Sequence, residues 1–263
     1  MQGAPTQRIT PLWAAILSGS AKLVSVLLLA ADAAVNQAIE DGWTPLVYAM
    51  HRSNAELVSV LLAAGAVVNQ AREDGTAPLF LAIEQGNAEL VPVLLEAGAA
   101  VNQAKEDGTT PLLLAIQQGN AELVSVLLEA GAAVNQAPHE PLAQTLVPLL
   151  SAITMGRTDC AKLLSSYGAS RSFDIQGINI PMAASEMATH YGHDALAAWF
   201  VTSSQWTTPL HHLTIIGATR ARALLRAGAD LEAAAEAAFG GDGGNTPLSL
   251  ARALQQAGEA GED

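Results

Sequence analysis

Short apolar runs alternate with polar segments along this chain, and the alternation repeats every 33 residues. Residues 74–106 and residues 107–139 match at 27 of 33 positions without a gap, and residues 41–73 fit the same frame. Inside each copy the apolar residues recur three or four positions apart, as at Leu90 and Leu94, which is the spacing of one helix face. The pattern therefore predicts a repeat protein whose helices bury their apolar faces against neighbouring copies.

Each copy carries signals for the boundaries of two helices. Proline opens the first helix, since its missing N–H costs no hydrogen bond in the first turn. An asparagine can cap the second helix, and a glycine can end it in the left-handed conformation. These positions are Thr44-Pro45, Ala77-Pro78 and Thr110-Pro111; Asn54, Asn87 and Asn120; and Gly65, Gly98 and Gly131. Pro92 falls inside one second helix, where we expect a mild kink.

The copies cover almost the whole chain and become less similar towards its C-terminus. We predict one array over residues 1–256, followed by a flexible acidic tail at 257–263. The array contains seven repeats, near residues 7–40, 41–73, 74–106, 107–139, 144–170, 180–203 and 206–231, and a half repeat at 244–256. Because stacked repeats are stabilised by their neighbours, the array is expected to behave as one unit.

The start of each copy resembles the signature of the ankyrin repeat family, Thr-Pro-Leu-His-x-Ala with a 33-residue period. Thr44, Pro45, Leu46 and Ala49 carry it in one copy. The resemblance implies an all-α solenoid of stacked helix pairs, with hairpin or loop fingers projecting to one side. In the family the signature histidine joins finger and helix by hydrogen bonds, whereas here apolar side chains are expected to substitute van der Waals packing. They are Trp13, Val47, Phe80 and Leu113.

Composition and charge exclude several classes of protein. The chain has 12 Lys and Arg against 25 Asp and Glu, a net charge of −13, which argues against a nucleic-acid partner. A single cysteine rules out an internal disulfide framework. The most apolar stretch, residues 23–31, is too short to cross a membrane, and the N-terminus has no apolar signal core. We therefore expect a cytoplasmic or nuclear protein without membrane insertion.

No group of residues in the sequence predicts catalysis. His190 and His193 have no evident third metal ligand, and His211 and His212 are interpreted as the signature histidine and its neighbour. Cys160 aligns with a core leucine of other copies and is predicted to be buried rather than reactive. A glycine-rich segment near the C-terminus lacks the Lys-Ser of a phosphate-binding loop. The sequence therefore predicts a non-enzyme that holds no cofactor and no metal.

The resemblance also implies where a partner would bind. In the family, contacts concentrate at the finger tips and at the exposed end of the first helix. Carried over by position, the candidate contact residues are Glu40, Asp41, Trp43, His51 and Arg52; Glu73, Asp74, Thr76, Glu84 and Gln85; and Glu106, Asp107, Thr109, Gln117 and Gln118.

Two features of this set suggest a kind of partner. The Glu-Asp pairs recur at each finger, and they either supply solubility and turn chemistry or steer a Lys- or Arg-rich segment towards the chain. Trp43 stands where the two following copies have threonine. Its side chain is either an aromatic anchor for a partner or packed against neighbouring finger residues.

With no catalytic set, the surface is expected to carry the function. We predict a non-catalytic scaffold or adaptor, monomeric by itself, that binds a protein or peptide along the concave face formed by fingers and first helices. The alternatives are a regulatory subunit or inhibitor of an enzyme, and the repeat region of a larger multi-domain protein.

Overall fold

A computed structural model describes residues 10–30, 34–39, 42–136, 147–173 and 182–205. The chain divides into two compact units, Met1–Ala132 and Ala133–Asp263. The predicted seventh repeat near 206–231, the half repeat at 244–256 and the acidic tail at 257–263 lie outside the described residues. The prediction of one continuous array over 1–256 stays a prediction.

The first unit contains four helix pairs among its described residues. In each pair a first helix contacts a second helix, and the first helices α3, α5 and α7 also contact one another in sequence order. The helices are α1 (Pro11–Leu17), α2 (Ala21–Ala30), α3 (Pro45–His51), α4 (Ala55–Ala63), α5 (Pro78–Glu84), α6 (Leu90–Glu96), α7 (Pro111–Gln118) and α8 (Ala121–Glu129).

The helices of this unit begin where their capping residues place them. The Thr44 hydroxyl accepts a hydrogen bond from the N–H of Val47 at 3.1 Å, directly before α3. The Asn54 side chain accepts one from the N–H of Leu57 at 3.0 Å, directly before α4. Each cap satisfies a donor that a helix N-terminus otherwise leaves without a partner. The predicted capping is therefore confirmed at Asn54, and Thr44 supplies a further cap that was not predicted.

Helix α6 begins later in its copy than α4 and α8 do in theirs. Its first helical residue is Leu90, and Ala88 and Glu89 form a turn. Pro92 thereby falls in the first turn of α6, where no hydrogen bond of the helix needs its N–H. The expected kink is replaced by a shorter helix, while Asn87 still accepts a hydrogen bond from the N–H of Leu90 at 3.2 Å.

The four residues that replace the signature histidine are all buried, as predicted. Trp13, Val47, Phe80 and Leu113 are at most 3% exposed. Trp13 departs from the expectation of pure van der Waals packing, because its indole N–H donates to the carbonyl of Gln37 at 3.2 Å. The first copy therefore has a hydrogen bond between helix and finger, made by an indole in place of the imidazole of the signature histidine.

A row of asparagines joins neighbouring copies of the first unit. The Asn69 side chain donates to the carbonyl of Gly98 at 3.0 Å and accepts from the N–H of Ala100 at 2.7 Å. Asn36 makes the corresponding pair of bonds to the following copy, and Asn102 donates to Gly131. The asparagine amide thus satisfies backbone groups of the next copy rather than of its own turn.

The outer side of α2 is apolar and uncovered. Leu23 is 54% exposed, whereas Leu57, at the same position of the next copy, is 1% exposed. The reason is stacking: α2 covers α4, but no helix precedes α1 in the described part of the chain. Val26 and Leu29 extend this exposed apolar side of α2.

The second unit contains two helix pairs and a short antiparallel ladder among its described residues. Its buried residues include Leu149, Cys160 and Phe200. Arg171, next to the ladder, donates from its guanidinium to the backbone and side-chain oxygens of Ser203. The elements are α9 (Pro148–Thr154), α10 (Thr158–Ser166), β1 (Ser172–Phe173), β2 (Met182–Ala183), α11 (Ala184–His190), α12 (Asp194–Thr202) and a 3-10 helix (Ser203–Gln205).

Candidate functional site

Two of the predicted fingers lie entirely within the described residues, and we call residues 71–76 the second finger and residues 104–109 the third finger. In the second finger the N–H of Arg72 donates to the carbonyl of Thr76 at 3.0 Å. The Asp74 carboxylate accepts from the N–H of Thr76 at 3.0 Å. The third finger repeats both bonds with Lys105, Asp107 and Thr109. Aspartate therefore closes each turn, as its short acceptor side chain favours.

Each described finger carries one basic residue in front of its two acids. Arg72 lies 3.6 Å from the Asp74 carboxylate and forms an ion pair with it. Glu73 and Glu106 are exposed and form no ion pair within the described residues. The predicted acidic ladder is therefore partly neutralised internally by Arg72, and both glutamates are among the acids that no ion pair compensates in the described residues. Glu40 and Asp41 lie outside the described residues.

The finger aspartates are held in their charged form. Partial burial acts to raise the pKa of Asp74, but hydrogen bonds from Thr76 and the positive charges of Arg72 and Lys105 outweigh it, so the pKa lies below 3.8. The N–H of Thr109 lowers the pKa of Asp107 more strongly than partial burial raises it. Both carboxylates thus stabilise the finger turns as anions.

We expect a variant with Asp74→Asn and Asp107→Asn to lose less stability on acidification than the unsubstituted protein. A carboxylate whose folded-state pKa is depressed stabilises the fold above its unfolded-state pKa, near 3.8, and loses that contribution as the pH falls through the lower folded-state value. Asparagine keeps an acceptor oxygen but does not titrate. Urea unfolding from about pH 6 to about pH 3 measures the difference. Parallel stability curves for the two proteins would contradict this prediction.

Trp43 is half-buried and packs against residues of its own copy and of the next finger. Its ring lies 5.2 Å from the His51 ring and 6.3 Å from the Tyr48 ring, both edge-on. The Arg72 guanidinium lies over the indole, 4.6 Å from the ring centroid. Of the two predictions for Trp43, the structure shows packing against neighbouring residues, with the next finger supplying a cation–π contact.

Three further predicted contact residues are buried or form hydrogen bonds within the protein. Thr76 is 3% exposed, which closes its side chain to a partner, so we remove it from the candidate surface. The Gln85 side chain donates to the carbonyl of His51 at 3.0 Å, and Gln118 donates to that of Glu84 at 3.1 Å. These two glutamines join the ends of successive first helices.

An open cleft lies between the third finger and the exposed ends of α5 and α7. Its volume is about 130 Å³, well below the roughly 300–1,000 Å³ of small-molecule pockets, so its size suits one side chain. Four predicted contact residues and three others line it. They are Glu84, Asp107, Thr109 and Gln117, with Phe80, Lys105 and Leu114.

The predicted contact residues do not include Phe80, Lys105 or Leu114. The Lys105 ammonium lies 5.7 Å from the centroid of the Phe80 ring, at the rim of the cleft. A signal for Lys105 was available, because basic residues occupy equivalent positions 72 and 105, directly before the acidic pairs. The contribution of Lys105 to the cleft depends on how far its side chain reaches towards the preceding copy. The repeat pattern does not specify that distance.

A family profile described as ankyrin repeats (3 copies) matches residues 3–72 and 79–176, more than half of the chain. The chain belongs to the ankyrin repeat family. The predicted family and the all-α ankyrin fold class are thereby confirmed, while the count of seven repeats stays a prediction. None of the curated proteins compared with this ankyrin repeat protein matches it in sequence. Ankyrin repeats are generally protein–protein interaction modules.

The candidate chemical residues of this ankyrin repeat protein occupy structural positions. Cys160 is 2% exposed, and burial, with the nearby Asp159 charge, raises the pKa of its thiol to about 11. His190 packs edge-on against Tyr191, and His193 lies against Gly156. In the part of the chain that the structure describes, no three His, Cys, Asp or Glu side chains form a possible metal site. His211 and His212 lie outside that part.

The helices of this ankyrin repeat protein are short relative to a membrane span. Such a span needs about 20 consecutive apolar residues. None of the helices within the described ranges is long and apolar enough to meet that requirement.

Proposed function

We propose that this chain is a non-catalytic scaffold that binds a partner protein through a basic segment laid across the second and third fingers. One observation carries the proposal: Glu73 and Glu106 are exposed at equivalent positions and are not compensated by an ion pair in the described residues. Carboxylates at a regular spacing complement a segment that carries several Lys or Arg residues.

The exposure of Glu73 and Glu106 supports recognition more than turn formation. In each finger the aspartate closes the turn and has its pKa lowered by the threonine that follows. Neither Glu73 nor Glu106 takes part in the hydrogen bonds that close the turn in its finger. Removal of the glutamate charges should therefore change binding without changing the finger structure.

We expect the double variant Glu73→Lys, Glu106→Lys to capture much less of the native partners than the unsubstituted protein, and we expect high salt to reduce capture by the unsubstituted protein as well. The measurement is affinity capture from the native source, with mass spectrometry of the retained proteins at low and at high salt. Reversed charges at two positions both remove attraction and add repulsion, so the effect should exceed that of neutral replacements.

The matched control is the double variant Glu96→Lys, Glu129→Lys. These residues are exposed at the ends of α6 and α8, also one repeat apart, and the net charge changes by the same amount. Capture should be retained by this control. Equal loss in both double variants would show that overall charge governs capture, and unchanged capture in both would remove the basic segment from the proposal.

A further inference from the structure

The cleft beside the third finger occupies a place that the preceding copy fills with its own side chain. Glu84 and Lys105 line the cleft. Their equivalents one repeat earlier are His51 and Arg72, which contact the Trp43 ring at 5.2 Å and 4.6 Å. The equivalent of Trp43 in the later copy is Thr76, whose small side chain is buried. The gap between fingers is thus closed by an indole in one copy and left open in the next.

The lining of the cleft retains the cation that lies over the Trp43 ring in the preceding copy, as Lys105 in place of Arg72. Lys105 places an ammonium group at its rim, over the Phe80 ring at 5.7 Å. A second ring inserted into the cleft would face the same cation, as Trp43 faces Arg72. Leu114 adds an apolar wall, and Glu84 offers a carboxylate that can accept a hydrogen bond from an indole N–H or a phenol O–H.

The charges decide between an aromatic and a basic occupant. The Asp107 carboxylate is already engaged by Thr109 and attracted to Lys105, which lowers its pKa. A guanidinium or ammonium entering the cleft would be attracted to Glu84 but repelled by Lys105. An aromatic ring would be attracted to Lys105 and could donate a hydrogen bond to Glu84 from an indole N–H or a phenol O–H. The basic residues of a partner are therefore placed at Glu73 and Glu106 on the finger tips, and an uncharged flat side chain is placed in the cleft.

We propose that the cleft binds one aromatic side chain, tryptophan or tyrosine, of the partner protein. The partner supplies between the second and third fingers the ring that Trp43 supplies one repeat earlier. This inference rests on the proposed function, since it names the anchor residue of the same partner.

The test is a titration of the 15N-labelled full chain with three peptides of identical Lys-, Ser- and Ala-containing background that carry Trp, Arg or Leu at the central position. The Trp peptide should shift the backbone amide signals of Thr109 and Leu114 saturably. Its affinity should exceed that of the other two by about tenfold, as a ring stacked against a cation implies. Strongest binding by the Arg peptide, or equal binding by all three, would overturn the proposal.

Two reciprocal variants and one conservative variant sharpen this test. Thr76→Trp should fill the cleft and abolish the response at Thr109 and Leu114. Trp43→Thr should keep that response and add a second one at Thr76 and Leu81, the equivalent amides one repeat earlier. Lys105→Gln replaces the ammonium group by an uncharged polar amide. It should weaken binding of the Trp peptide but not binding of the Leu peptide. Full response in Thr76→Trp, or identical weakening of both peptides in Lys105→Gln, would overturn the proposal.

Different results would contradict the aromatic anchor and the proposed function. If Thr76→Trp retains native partners while Glu73→Lys, Glu106→Lys loses them, the basic segment stands and the aromatic anchor is overturned. If neither variant loses partners, the proposed binding surface is itself wrong.

Discussion

Replacement of Leu57 by alanine is expected to lower the free energy of unfolding by about 2–5 kcal/mol, whereas the same replacement at Leu23 should cost less than about 1 kcal/mol. The two leucines hold the same position in successive copies and have the same local sequence, Leu-Val-Ser-Val. Leu57 is 1% exposed and Leu23 is 54% exposed. The difference between the two losses in unfolding free energy therefore measures the effect of burial by a preceding helix pair.

Urea unfolding followed by far-UV circular dichroism measures both changes. A stacked array gains stability from interfaces between neighbours, so a cavity beneath α2 and α4 removes part of one interface as well as the transfer free energy of the lost atoms. Equal losses for the two variants would show that something covers Leu23 in solution. A small loss at Leu57 would show that the α2–α4 contact contributes little to stability.

The boundaries of the helices could be predicted from the sequence because they depend on local chemistry. Thr44 and Asn54 act through hydrogen bonds to N–H groups three residues away. The same signals recur in every clear copy, so the period of the pattern reinforces each of them. Pro92 shows the limit of this reasoning, since its effect was a later helix start rather than a kink.

Contacts between copies could not be predicted in the same way. The burial of Thr76 and the position of Lys105 over Phe80 depend on how closely one finger approaches the next. Gln85 looked like a surface residue, but its amide reaches the carbonyl of His51 in the preceding copy. The repeat pattern predicts the helix face on which a residue lies. It does not predict which residues of a neighbouring copy the side chain contacts.

Replacement of Gly42 by alanine is expected to destabilise the protein by about 2–5 kcal/mol, against about 1–2 kcal/mol for Gly65→Ala in the same copy. Both glycines have positive φ, 75° and 84°, so alanine is strained at each. A Cβ at Gly65 would meet nothing within 4 Å, but a Cβ at Gly42 would lie 2.9 Å from the Cα of Arg72 and 3.0 Å from the N of Glu73. Those atoms are backbone of the second finger and cannot rotate away.

The extra cost at Gly42 therefore measures how tightly one finger packs against the next. The same approach recurs at Gly75, where a Cβ would lie 3.0 Å from the N of Glu106. Urea unfolding of both alanine variants gives the comparison, with Gly65→Ala reporting backbone strain alone. Equal destabilisation would mean that the fingers separate at little cost. Greater destabilisation at Gly42 would mean that close backbone packing fixes the finger spacing, and with it the distance between Glu73 and Glu106 that a bound segment has to match.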